Sequence, residues 1–495
     1  MRELFFVACL AAAFPVVLSA QRALGEFEKS GDVGVVEHKG AVEHNPGSNT
    51  YRITGSGANM WAGADAFHFL WRPASGDISI TADFEWVTSG GNAHKKAGPI
   101  LRSGLAPDDA YADLVAHQDG LIALQFRRTK GGPTEELRTS IKAPATLRLE
   151  RHGEVISADV APRGGAFQPV GALSLSLPET VYAGLAVCSH DVKVAETALF
   201  SRVAVRNDGV IDLKERMVES TLETIEIETG QRRILHRETA HFEAPNWSPD
   251  GRALFYNGGG KLYRIPADGG TSEPIETGSL RLNNDHGLSP DGRQMAISGS
   301  ASGGSQIWIV PATGGEPRLV VEQRPSYWHG WSPDGKTLAY CAQRNGEYDI
   351  YTVSADGGEE RRLTTAPGLD DGPDYSRDGQ WIYFNSERTG LMRIWRMRAD
   401  GSGQETVSVG APSGDWFPHP SPDGRWLVYL SYDPSVKGHP PNKDVQLKIM
   451  PTGGEPRVLA TLFGGQGTIN VPSWSPDSKR FAFVSYRLVA RKTGQ

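Results

Sequence analysis

Residues 330–337 read GWSPDGKT, which satisfies the nucleotide-phosphate pattern G-x-x-x-x-G-K-[ST]. Such a loop works only if a helix starts at the Lys-Thr, so that backbone N–H groups and the helix N-terminus face the anion. The following KTLAYC alternates apolar and polar residues as a strand does, so nucleotide binding is not expected here. His329, flanked by Trp328 and Gly330, belongs to a different set. His286 and His329 stand three positions before a Ser-Pro-Asp-Gly turn, and His419 stands two before another. Asn283, Asn284, Asp285, Asp370, Asp371 and Asp415 accompany them, with His241, Glu243, Lys437, His439 and Lys443. Neutral imidazoles of His286, His329 and His419 converging beside a carboxylate suit a divalent metal such as Mn or Zn. That metal would neutralise a uronate carboxylate while a His or Lys abstracts the adjacent proton in a β-elimination. The same residues also suit a plain ligand site, or hydrogen bonds to backbone along a wet channel. No G-x-S-x-G nucleophile turn and no H-E-x-x-H helix occurs.

The elements that position these residues repeat. WSPDG at 247 recurs as LSPDG at 288, WSPDG at 331, YSRDG at 375, PSPDG at 420 and WSPDS at 474. Between them lie LYRIPADGG, IWIVPATGG, IYTVSADGG, IWRMRADGS and LKIMPTGG, and one more copy, IEIETGQ, precedes the first turn. Asp-Gly supplies the positive φ of a tight hairpin, and alternating apolar residues flank it. Two hairpins make a four-stranded blade, so residues 220–489 are expected to form a six-bladed β-propeller. The chain begins this region on an outer half (220–236) and leaves it on an inner half (474–489). The last blade is therefore expected to combine both ends, closing the ring without a free edge. The aspartates of the Ser-Pro-Asp-Gly turns read as turn-formers, on the face opposite the histidines.

Residues 26–206 lack this repeat. ISITADFEWV (78–87) places Ile78, Ile80, Ala82, Phe84 and Trp86 on one face, and LIALQFRR, ATLRLERHG, VISADVAP and VYAGLAVCSH continue as strands. Strands without convincing helices predict a two-sheet sandwich, giving an all-β chain overall. Trp61, Phe69 and Trp71 are candidates for stacking on sugar rings, or for core packing. Residues 207–219 read as a polar linker and 490–495 as a tail. With a formal charge of −7 over 495 residues and no basic run, nucleic acid is not an expected partner. Residues 1–25 read as a secretory signal peptide, with cleavage after Ala20 or Gly25, which predicts a periplasmic or secreted protein without a later membrane span. Cys188 and Cys341 lie in different domains among apolar residues, as buried thiols do, and no cysteine-based metal site is expected.

The pattern P-x-W-S-P-D-G followed by I-Y-x-[apolar]-x-A-D-G-G resembles the TolB-type, WD-like propeller repeat of exported bacterial proteins, over residues 220–489. The resemblance implies a binding module of the cell envelope; TolB itself works with an outer-membrane lipoprotein. W-x-G-x-D-A-F-H-F (61–69), GDISITADFEW, KAGPILRSGL, LRLERHG and VYAGLAVCSH resemble concanavalin-like, laminin-G-like sandwiches, which implies carbohydrate as a ligand. Oligogalacturonate lyases are similar in placing a His-bound metal on a propeller of related repeats, though with seven blades. They supply the alternative of a metal-dependent carbohydrate-active enzyme acting by β-elimination or glycoside cleavage. Ligand-binding candidates on the propeller are thus His241, Asn284, Asp285, His286, His329, Asp370, Asp371, His419 and His439.

Overall fold

A computed structural model describes residues 24–491 except 212, 302, 409 and 411. The signal-peptide reading therefore falls almost wholly outside the described residues. The N-terminal part is two antiparallel sheets of seven strands each. In the first, Phe67–Ser75, Thr180–Cys188, Lys96–Arg102, Tyr111–His117 and Ile122–Arg127 run side by side; in the second, Ala145–His152, Asp77–Trp86 and Asp191–Gly209 form the centre. The alternation read from 78–87 is what places Ile78, Ile80, Ala82 and Phe84 in the core between the sheets.

Two of the proposed sugar-stacking residues belong to packing instead. Phe69 is fully buried and Trp71 is 8% exposed; their rings stack on each other at 5.1 Å in a second apolar cluster with Phe67 and Tyr111. Both sit in the strand Phe67–Ser75, whose outer face is covered rather than open, so neither can meet a sugar. Trp61 alone remains half-buried, in the small hairpin Met60–Trp61 and Ala64–Asp65, with Lys96 Nζ 5.5 Å from its ring centre.

The repeats fold as six blades around an axis. Five are four-stranded sheets whose innermost strands are Phe242–Trp247, Arg281–Leu288, Ser326–Trp331, Asp370–Tyr375 and Gly414–Pro420. The sixth joins both ends: Arg216–Glu226 pairs with Arg480–Ala490 along its whole length, Arg232–Glu238 lies outside, and Trp474 bridges Phe481 inside. The residues 216–219, read as linker, are thus part of the closing strand, and Ala490, read as tail, pairs with Arg216. Thr337–Arg344 is a strand, so the Lys-Thr of GWSPDGKT meets no helix. Cys188 and Cys341 are buried free thiols.

The sandwich sits against the closing blade. Arg216 in that blade forms a buried ion pair with Asp77 of the sandwich at 2.6 Å, and Arg487 reaches Glu150 at 2.7 Å. Asp444 of the fifth blade accepts from the backbone N–H of Ser174 at 2.8 Å and from its hydroxyl at 2.9 Å.

Candidate functional site: the propeller axis

Each innermost strand is bulged at one place. The register slips between Glu243 and Asn246, Leu282 and His286, Trp328 and Gly330, Asp371 and Asp374, and Trp416 and His419. A bulge leaves a residue unpaired and re-aims its side chain, and these five bulges carry most of the polar candidates. Ala244, Gly372 and Phe417 take positive φ there (59°, 62° and 54°).

Four candidates meet at the axis. His329 Nε2 faces Asp371 Oδ1 at 3.1 Å, and His329 Nδ1 donates to the carbonyl of Asn470 at 3.2 Å. Both neighbours only accept, so the ring carries two protons. Against the desolvation of its burial, the Asp371 carboxylate pushes the His329 imidazolium up to about 9. Burial opposes ionisation of Asp371 too, but the His329 charge wins and holds that carboxyl well below its usual range. His439 Nε2 stands 3.8 Å from the other Asp371 oxygen, its ring edge-on to Trp416 at 4.5 Å. Asp285 accepts from Asn470 Nδ2 at 2.9 Å and from Asn283 Nδ2 at 3.0 Å; desolvation pushes it up to about 6. Next to it Glu243 bonds the Asn284 side chain, and burial, with the Asp285 charge adding, pushes it up to about 7.

The other candidates are held elsewhere. His286 Nδ1 contacts the Asn284 carbonyl at 3.2 Å, its Nε2 is buried without a partner, and desolvation pushes the ring down to about 4. His419 spends Nδ1 on Asp374 at 3.0 Å and Nε2 on the Ile469 carbonyl. Asp370 turns to Arg388 at 2.8 Å. His241 lies half-exposed, stacked on Tyr486 at 5.4 Å. The expected metal set of His286, His329 and His419 is therefore not assembled. His329 and His419 have both nitrogens in hydrogen bonds, and among the described residues no three His, Cys, Asp or Glu are arranged to hold an ion.

Two features were missed in the sequence. The first is a plug. Residues 464–473 run into the axis, where Thr468, Ile469, Asn470, Val471 and Ser473 are fully buried. Asn470 binds Asp285 and His329, Ser473 donates its hydroxyl to the Pro245 carbonyl, and Asn246 Nδ2 donates to that of Pro472 at 2.6 Å. Gly467 must lack a side chain, because a Cβ would fall 2.2 Å from Glu243 Oε2. The signal was the long spacing before the last repeat, which also admits the insertion at 433–444, and the glycine run GGQG.

The second is where the open space lies. A funnel of about 510 Å³ opens at the Ser-Pro end of the axis, not at the histidine end. All six repeats line it by the residue before each Ser (Trp247, Leu288, Trp331, Tyr375, Pro420, Trp474) and the residue after (Pro249, Pro290, Pro333, Arg377, Pro422, Pro476). The turns are rigid: in each, the Ser hydroxyl donates to the Asp carboxylate at 2.6 Å. That Asp is a turn-former, as the sequence implies. The visible signal was Arg377, the one charged residue in a ring of five prolines.

The TolB beta propeller domain matches residues 325–439. An uncharacterised protein of Agrobacterium fabrum is 51% identical over 273 residues, covering 54% of this chain and 93% of that protein. The chain belongs to the TolB-type β-propeller family. A solved structure assigned as TolB from Agrobacterium tumefaciens is 50% identical, with a TM-score of 0.54, covering 55% of this chain and 99% of the other. An oligogalacturonate lyase in complex with manganese is 16% identical, with a TM-score of 0.35, over 49% of this chain and 73% of its own. The family model lies within the propeller, and the 273 residues matched to the relative are close to the propeller's length.

Proposed function

We propose that this TolB-type chain is an exported binding module, and that its propeller receives a polypeptide segment of a cell-envelope partner in the Ser-Pro funnel. The observation that carries this reading is the funnel itself. Six rigid turns surround one concavity, and its volume lies in the range of ligand clefts, about 300–1,000 Å³. Its walls are tryptophans and prolines and its rim carries hydroxyls, carboxylates and Arg377, a mixture that suits a chain with alternating apolar and polar groups. The plug beneath supports binding over passage, because it fills the axis with buried side chains. Among the described residues no helix is long and apolar enough to cross a membrane. For carbohydrate, the support on the sandwich is reduced to Trp61. A metal-dependent lyase would need several free imidazole nitrogens gathered on the propeller; His286 Nε2 is free, but His329 and His419 have both nitrogens engaged.

The test is photo-crosslinking in intact cells from a reactive residue placed at 377, with one at 345, far from the funnel, as control. A discrete protein adduct from 377 alone supports the reading. Adducts from both positions, or none from 377, count against it, and a glycan array with the full chain then decides for carbohydrate.

A further inference from the structure

The rim of the Ser-Pro funnel is closed joint by joint, each turn resting against the one before it. A Cβ on Gly251, Gly292, Gly335 or Gly379 would stand 3.5–3.7 Å from the proline after Ser in the preceding repeat. At these four joints a proline ring therefore fills the space between neighbouring blades. At a fifth joint Ser478 takes the place of the turn glycine, and its hydroxyl accepts from the Asp423 N–H at 3.0 Å. The sixth joint, between the fourth and fifth blades, differs. Arg377 stands there where the other repeats have proline, and a Cβ on Gly424 would meet nothing within 4 Å. The collar is broken at this one joint, and a guanidinium belongs to it.

The charges on the funnel wall are unequally satisfied. Asp374 pairs with His419 at 3.0 Å. Asp423 accepts from the Ser421 hydroxyl, the Arg425 N–H and Arg425 Nε, and Asp477 accepts from the Ser475 hydroxyl and the Lys479 N–H. Arg377 is exposed and has no hydrogen-bond or ion-pair partner among the described residues. Its planar fork of five N–H donors accepts nothing, and a carboxylate fits such a fork through two parallel hydrogen bonds. The fourth turn departs from the others in a second way. The residue after the turn glycine, or after Ser478, is Arg or Lys in five repeats and Gln380 in the fourth. That repeat has its cation on the funnel wall instead.

We propose that a bound polypeptide crosses the rim at the broken joint, and that Arg377 selects a segment carrying an Asp or Glu side chain at the crossing. This rests on the reading of the funnel as a peptide site and adds the segment's path and charge. An open joint lets the chain continue outward between the fourth and fifth blades. The carboxylate therefore belongs to a side chain within the segment and not to its C-terminus. Apolar residues of the segment lie inward, where tryptophans line the funnel.

The test selects random dodecapeptides, fused through their C-termini to a phage coat protein, on the full chain. A photo-reactive residue at 290, which leaves Arg377 in place, assigns each selected peptide to the funnel. Funnel-bound peptides should share an Asp or Glu at a fixed spacing from an apolar residue. Arg377→Gln should weaken them by about tenfold or more, through loss of charge-assisted hydrogen bonds, and make their binding less sensitive to salt. It should leave the melting temperature unchanged, because Arg377 holds no other residue. Arg377→Pro, which gives the turn the residue of the other repeats, should weaken them at least as much by closing the joint. Arg377→Glu should recover binding when the peptide's acid is changed to Lys. Funnel-bound peptides that share no acid, or that Arg377→Gln leaves undiminished, overturn this proposal while the peptide reading stands. If no selected peptide reacts from 290, the peptide reading falls and this inference with it.

Discussion

His329 and Asp371 carry the charge balance of the axis. Replacing His329 by Ala removes the nearest cation from the buried Asp371 carboxylate and leaves it with His439 at 3.8 Å and the Gly372 N–H, which should cost about 3 kcal/mol in urea unfolding at pH 7. The pH dependence follows from the sign of each shift. His329 is raised to about 9, so its stabilisation is complete below its ordinary value and is lost as pH climbs through 9. Asp371 is depressed, so its stabilisation is present above the ordinary carboxyl range and is lost on acidification. Glu243 runs the other way from Asp371: raised to about 7, it favours folding while protonated and opposes it as pH rises through 7. Glu243→Gln should therefore stabilise the protein by about 1–3 kcal/mol at pH 8 and not at pH 4, measured by unfolding at both. An equal effect at the two pH values would show that Glu243 is not the group that titrates.

The bulged innermost strands and the two-ended sixth blade decide what the residues can do. The bulges of the second and third blades free Asp285 and His329 from strand pairing, and the ring holds both in place. Arg216–Glu226 covers the flank of Arg480–Ala490 along eleven paired positions. A chain begun at residue 239 leaves that strand as a bare edge. It should melt lower by roughly 10 °C or more and aggregate, as several kcal/mol of pairing are lost. A chain begun at 210, which lacks the sandwich but keeps the closing strands, should retain a cooperative propeller transition. Similar melting of the two truncations would mean that closure is not what stabilises the ring.

Across the whole molecule, sandwich and propeller meet through charge. Burial opposes ionisation of Asp77, but hydrogen bonds from His152 and Arg216 hold its carboxyl below the usual range. Arg216 is 4% exposed and Asp77 1%, so this pair is far less screened than a surface bridge. Arg487 lies between Glu150 of the sandwich and Glu219 of the blade. Wild-type protein should unfold in one calorimetric transition. Arg216→Ala combined with Arg487→Ala should separate it into two, because one change leaves Asp77 with partners from the sandwich only and the other removes the outer contact. A single transition in the double variant would place the coupling in apolar contacts instead.

The sequence by itself determined the all-β class, the sandwich, the six blades and their closure from both ends. These rest on local rules: Asp-Gly turns require a particular φ, and alternation selects a face, so WSPDG and ISITADFEWV could be read in place. It also found Asp285, His329, Asp371 and His439 as polar residues on one end of the blades. What it left open was which of them meet. His286 and His329 hold the same repeat position, yet one bonds its own strand and the other an aspartate one blade away. Phe69 and Trp71 alternate as exposed aromatics might, and only the cover over the sheet's outer face makes them core. The plug and the funnel bring together segments far apart in the chain. Their contacts arise from sheet register and ring closure, which set distances between residues that no local pattern relates. Tertiary structure alone decided them.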